Sequence, residues 1–313
     1  MKEELIVSGR ANPLIDPQLH IWHWPIPLYL FLGGLAAGIL FFAALYYILG
    51  KEKTYTTIVR KAPFITPFLL IIGLLALFYD LNHKPWFWQL YTTLKIQSPM
   101  SWGAWTLMVV TPASLIWSAL HIKDIFPNFK WPFWWLVELE AFFDRHKAKL
   151  AWVMLIFSVI LGIYTGILFS AFNARPLWNT SILGPLFLAS GMSAGAAAII
   201  LMSKDKTERL LMTRIDLIIL GIELFLITHM FMGFLASTEV QIEAAMLFLG
   251  GPYTAVFWIF VVFLGILVPA VLDVMELRGY HIPALIPGTL VLLGSLMLRF
   301  IFAFAGQESR WLY

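Results

Sequence analysis

Apolar runs long enough to cross a bilayer recur along this chain, and short polar segments separate them. A spanning helix needs roughly 20 mostly apolar residues. Eight stretches meet that length, at about 25–49, 62–81, 101–121, 149–171, 182–203, 212–236, 252–274 and 283–304. Little chain lies outside them, so the pattern predicts an all-α integral membrane protein without a separate soluble catalytic domain. The first run lacks a small-residue cleavage site and reads as a retained helix rather than a signal peptide. The first and fifth runs look alike: Gly34, Ala37 and Gly38 align with Gly191, Ala194 and Gly195 at an offset of 157, and Phe-Leu precedes both. Four spans separate the two motifs, so the halves would share one orientation. The expected architecture is eight transmembrane helices as two four-helix bundles, 1–171 and 172–313. Small-xxx-small spacing is also ordinary packing grammar in membrane helices.

Composition agrees with this picture. The chain is 60% hydrophobic and 12% charged, against about 25% charged in a soluble domain. Cysteine is absent, which excludes disulfides, thiolate metal sites, iron–sulfur ligation and c-type haem attachment. A b-type haem would need two axial histidines at matching depth. Only His229 lies well within a span, with His23 and His121 at opposite edges, so no haem is expected. The connections after the first, third, fifth and seventh spans hold fourteen Lys/Arg and the opposite face six. The positive-inside rule then places both termini on the non-cytoplasmic side. Trp131–Phe143 reads as an interfacial amphipathic segment, and Pro85–Tyr91 as an aromatic-rich outer loop; anchoring at the bilayer surface accounts for both.

Ionisable residues inside spans are costly and mark function. His23 opens the first span between Trp22 and Trp24, and Asp80 ends the second. Tyr164 falls in the outer half of the fourth, between Gly162 and Gly166, which would leave room for a bulky ligand. These groups come from one bundle at similar depth. A quinol losing two protons and two electrons needs hydrogen-bonding partners for its hydroxyls, one of them basic near neutral pH. Histidine oriented by a carboxylate suits that task, a tyrosine can hold the second oxygen, and the glycine-rich first helix can open a way for an isoprenoid tail. The bland reading is that His23 is an interfacial anchor and Asp80 a helix end; His20 and His83, nearer water, fit anchoring better. In the sixth span Asp216 and Glu223 are seven apart, hence on one face and about 10 Å apart along the axis. With His229 and Arg299 they outline a proton path from the cytoplasm; a structural Glu223–Arg ion pair is the rival. Asp273, near Glu276 and Arg278, reads as a solvated helix end.

Several motifs in order resemble the NrfD/PsrC family of membrane subunits, as in polysulfide reductase. They are Trp22-His-Trp24 with Phe31-Leu-Gly-Gly-Leu-Ala-Ala-Gly38, Ser98-Pro-Met-Ser-Trp-Gly-Ala-Trp105, Gly162-Ile-Tyr-Thr-Gly166, Asn173-Ala-Arg-Pro-Leu-Trp-Asn179, and Leu298-Arg-Phe300 through Ala305-Gly-Gln307. The resemblance implies an eight-helix quinol-binding anchor in the cytoplasmic membrane, using menaquinone and holding no haem or iron–sulfur cluster itself. Its partners would be a four-cluster ferredoxin-like iron–sulfur subunit on the outer face and, through it, a molybdopterin subunit; no nucleic acid is involved. Tyr164 matches a tyrosine at the family's quinone site, and His23 and Asp80 match polar positions near it. Ile26 and Tyr29 stand where polysulfide reductase keeps an Asn and a His. The implied quinone-binding residues are therefore Tyr29, Tyr164 and Gly34, with His23 and Asp80 as the proton-handling pair.

Two other readings remain at this point. A proton- or ion-coupled transporter would use the parallel repeat and Asp216/Glu223, but would place substrate at mid-membrane among broken helices; the glycine-rich spans lack mid-span prolines. A structural anchor would assemble a complex without binding quinone.

Overall fold

The computed structural model describes residues 22–310; the expectations placed on His20 and the two termini fall outside that range. Among the described residues the chain is helical and forms no strand. Helix α1 (Pro25–Ile48) starts on a proline, which costs nothing where the N–H has no partner to lose. Helix α2 (Thr57–Asp80) begins before the expected limit of 62. Its first turns are a wide π turn over Thr57–Lys61 and a tight 3-10 turn over Ala62–Ile65. Pro63 and Pro67 withhold donors there, and the Thr66 hydroxyl donates to the Pro63 carbonyl at 2.6 Å. There follow α3 (Pro99–Leu120), the amphipathic α4 (Trp134–Arg145) and α5 (Lys147–Ser170). The second half contains α6 (Leu183–Met202), α7 (Lys206–Leu235), α8 (Glu239–Met246), α9 (Thr254–Leu277) and α10 (Leu285–Glu308).

Seven of these helices (α1, α2, α3, α5, α6, α9 and α10) are long and apolar enough to cross a membrane. The stretch expected as a sixth span, 212–236, lies inside the 30-residue α7, which carries Glu208, Arg209, Arg214, Asp216 and Glu223 and is not among the seven. It starts ahead of the apolar run because Asp205 caps it, accepting from the Thr207 N–H at 3.2 Å. Large apolar side chains face outward, among them Phe68, Ile72 and Leu75 of α2, Ile218 and Phe225 of α7, and Phe260 and Phe263 of α9. Such an exposed apolar belt suits a hydrocarbon solvent and not water.

Contacts run in a ring through α1, α2, α3 and α5, and in a second ring through α6, α7, α9 and α10. Helix α1 is the most buried of the seven and also touches α6 and α10. The two matching glycine motifs meet here. A Cβ on Gly191 would stand 2.9 Å from the Gly34 carbonyl oxygen, and one on Gly38 would run into the Gly191 carbonyl and approach Gly195 Cα to 3.1 Å. The backbones of α1 and α6 are thus in direct contact, which only glycine allows.

Candidate functional site

At the end of the molecule that carries His23, an apolar pocket opens between α1, α2, α3 and α5. Trp22, Ile26 and Tyr29 line one wall, Leu77 and Leu81 the second, Met100, Ala104 and Leu107 the third, and Tyr164 and Leu168 the fourth; Leu90 and Tyr91 cover it. Tyr29 and Tyr164 are both buried against this pocket. Tyr164 fits because Gly103, in the Ser-Trp-Gly-Ala-Trp motif of α3, has no side chain: a Cβ there would overlap the phenol ring. The enclosed space is about 70 Å³. It adjoins a groove of about 270 Å³ between α2 and residues 87–91, and a mouth of about 320 Å³ lined by His83, Trp86, Lys95 and Ser98 among others. Burial raises the Tyr91 phenol above its ordinary range, so it is a neutral donor.

His23 and Asp80 meet across the rim, Nδ1 to Oδ1 at 3.1 Å, with the imidazole 66% exposed and the carboxylate 10%. Neither lines the enclosed pocket, but their neighbours Trp22, Ile26, Leu77 and Leu81 do. Trp22 is held by its ring, 5.2 Å from Phe169, 5.0 Å from Phe172 and 5.2 Å from Trp178. The Arg-Pro-Leu-Trp motif locks onto the last turns of α10: Trp178 Nε1 donates to the Phe302 carbonyl at 2.8 Å and Arg175 Nη1 to the Ser309 carbonyl at 2.7 Å. A Cβ on Gly306 would overlap the Trp178 indole. Phe302, Gly306 and Ser309 share one helical face by their spacing.

Several expected residues stand elsewhere. Gly34 faces the Arg299 guanidinium and Gly191 and does not line the pocket. Gly162 and Gly166 accommodate Leu188 and the Leu183 carbonyl, so they seat α6 and give Tyr164 no extra room. The glycine-rich face of α1 is closed by α6, and the open groove lies instead beside α2. His229 is on the outward side of α7, stacked on Phe225 at 5.8 Å, away from Asp216 and Glu223.

Those two carboxylates are buried. Ser193 Oγ donates to Asp216 Oδ1 at 2.6 Å, and Glu223 faces Ser190 and Arg299. Arg299 is fully buried. Its Nη1 donates to Ser190 Oγ and to Ser295 Oγ at 2.7 Å, its Nη2 to the Phe187 carbonyl at 3.0 Å. Among the described residues no Glu223–Arg299 ion pair forms. Asp273 is not a solvated helix end: it is buried, with Oδ2 unpartnered, next to Glu276, which pairs with Arg209 at 2.8 Å. Sequence reading missed it because a carboxylate at a helix end normally reaches water.

At the lysine-rich end, Glu52 Oε1 accepts from Lys147 Nζ at 2.8 Å and lies 3.3 Å from His121 Nε2 and 3.4 Å from Arg60 Nε. His121 is buried and its Nδ1 faces the Trp117 carbonyl at 2.9 Å. Burial, then Lys147, lowers the His121 pKa from 6.5. Burial opposes ionisation of Glu52, but Lys147, His121 and Arg60 outweigh it and lower its pKa.

Fold and site together define a multi-pass helical membrane protein with a small, largely apolar pocket at one end of its first ring of helices. The family model for polysulphide reductase, NrfD, matches residues 13–309, and the chain belongs to that family. It is 34% identical to protein NrfD of Escherichia coli K12 over 304 residues, covering 92% of this sequence and 95% of that protein. It is 32% identical to the C subunit of polysulfide reductase from Wolinella succinogenes over 301 residues, 92% and 94% of the two sequences. It is 28% identical to an NrfD homolog of Haemophilus influenzae over 312 residues, 94% and 97%.

Proposed function

We propose that this protein is the quinol-oxidising, or quinone-reducing, membrane subunit of a respiratory oxidoreductase. The observation that carries the reading is the two buried tyrosines, Tyr29 and Tyr164, lining an apolar pocket with the His23–Asp80 pair at its rim. The tyrosines hold the ring oxygens. His23 takes a proton from the quinol, and Asp80 orients the imidazole and stabilises its charge. The groove beside α2 takes the isoprenoid tail. The enclosed space is smaller than a quinone ring, so the ring occupies it together with the adjoining groove as Leu90 and Tyr91 turn aside. With no cysteine in the sequence, the electrons go to a four-cluster ferredoxin-like partner that serves a molybdopterin subunit. The relative named as a polysulfide reductase subunit supports a multi-subunit reductase, and menaquinone is the quinone that the family resemblance implies.

In this reading α7 is the eighth span, the two rings of helices are two four-helix bundles, and the His23 end faces out of the cytoplasm. Asp273, Asp216, Glu223 and Arg299 then form a buried polar track from the cytoplasmic side toward the middle of the membrane, suited to carrying protons. His23→Ala or Asp80→Asn is expected to abolish quinol-linked turnover while the complex still assembles. Retained turnover in the purified double variant overturns the assignment. Quinone extracted from the purified complex distinguishes it from a purely structural anchor.

A further inference from the structure

His23 is an exposed side chain just ahead of its helix, yet the proposed chemistry needs its imidazole in one place. Its own tethers are few: the bond to Asp80, and its carbonyl accepting from the Ile26 N–H at 3.2 Å. The residue before it is held far more firmly. The Trp22 N–H donates to Gln307 Oε1 at 2.9 Å, and Gln307 Nε2 donates back to the Trp22 carbonyl at 3.0 Å. Nε2 also donates to the Ala303 carbonyl at 3.1 Å, which fixes the amide against α10. Gln307 is buried. One side-chain amide therefore pairs with the peptide groups on both sides of the Trp22 Cα, and the second of those groups carries the His23 nitrogen.

We infer that Gln307, at the end of α10, is a positioning residue for His23, setting through the Trp22 backbone where the imidazole stands at the rim. The inference rests on the quinone reading. A glutamine is needed because the clamp uses one acceptor and one donor: a glutamate would still accept from the Trp22 N–H but would set a carboxylate oxygen against the Trp22 carbonyl. The aromatic cage holds the indole; the amide holds the peptide plane, which no ring contact can orient.

The test is a double-mutant cycle on the intact complex in its own membranes, read by binding of a fluorescent hydroxyquinoline N-oxide quinol analogue and by menadiol oxidation. His23→Ala is expected to weaken the analogue about tenfold, the loss of one good hydrogen bond. Gln307→Ala should weaken it by a similar factor with the partner subunits still bound. In the His23→Ala background Gln307→Ala should add nothing, because both changes remove one interaction. Gln307→Glu, which preserves the volume, should fall between wild type and alanine. If Gln307→Ala costs as much again without His23, the residue is only a structural plug and the inference fails. If His23→Ala matters and Gln307→Ala does not, the inference fails and the quinone reading stands. If His23→Ala itself changes neither binding nor turnover, both fall.

Discussion

Gly103 shows how a residue with no side chain determines a site. It sits on α3 directly opposite the Tyr164 phenol, so Gly103→Ala must push that ring out of its place in the pocket wall. The expected outcome is a complex that assembles, loses about 1–3 kcal/mol of stability as overpacked sites do, and binds the quinol analogue more weakly; titration of that analogue measures it. The sequence pointed to Tyr164 itself but to the wrong glycines. Gly162 and Gly166 are two positions away on the same helix, and residues two apart face different sides. The glycine that matters is 61 positions earlier on another helix, where no periodicity links it to Tyr164. Tyr91 was missed for a similar reason: in an aromatic loop it looks like an anchor, and only the fold lays it over the pocket.

Whole elements were more legible, since all eight apolar runs lie in long helices and seven of these are long and apolar enough to span. The limits moved where charge concealed helix. Arg60 and Lys61 hid the first turns of α2, and a run of charges hid those of α7. The lysine-rich end also makes a prediction about pH. The folded state holds His121 below its ordinary 6.5, so its contribution is complete above that value and erodes as pH falls below it. Glu52 is held below its ordinary 4.5; its contribution is present above that value and is lost at still lower pH as the carboxylate protonates. Both changes loosen the contact of α3 and α5 with the segment after α1. Thermal melting of the purified protein should decline between pH 7.5 and 5.5, and His121→Gln should flatten that decline. An unchanged slope in the variant would remove His121 as its source.

For the molecule as a whole, two matching glycine motifs were visible in the sequence, but not that they would lie against each other. Nor could the sequence show that a side chain near the far end of the chain holds the backbone of Trp22 in the pocket wall. The Gln307–Trp22 contact joins positions 285 apart, and nothing local marks such a pair. The polar track belongs to this scale because, in the proposed function, it would decide whether turnover moves charge. Quinol oxidised at the outer face with protons released outward separates no charge unless protons cross from inside. Glu223→Gln should therefore leave menadiol oxidation in detergent nearly intact while abolishing the potential generated in sealed vesicles. A potential equal to wild type would exclude Glu223 from any such path.

The contact of α1 with α6 has one more consequence. At Gly38, Gly191 and Gly195 two backbones touch with nothing between them, so the halves have no cushion of side chains on which to rock. A carrier that alternates its access would have to pull these surfaces apart in every cycle. Electron tunnelling makes the opposite demand: its rate falls steeply with distance, and donor and acceptor must keep a fixed separation through many turnovers. For the quinol site proposed above, a seam of bare backbone between the two halves would give the donor a rigid mount.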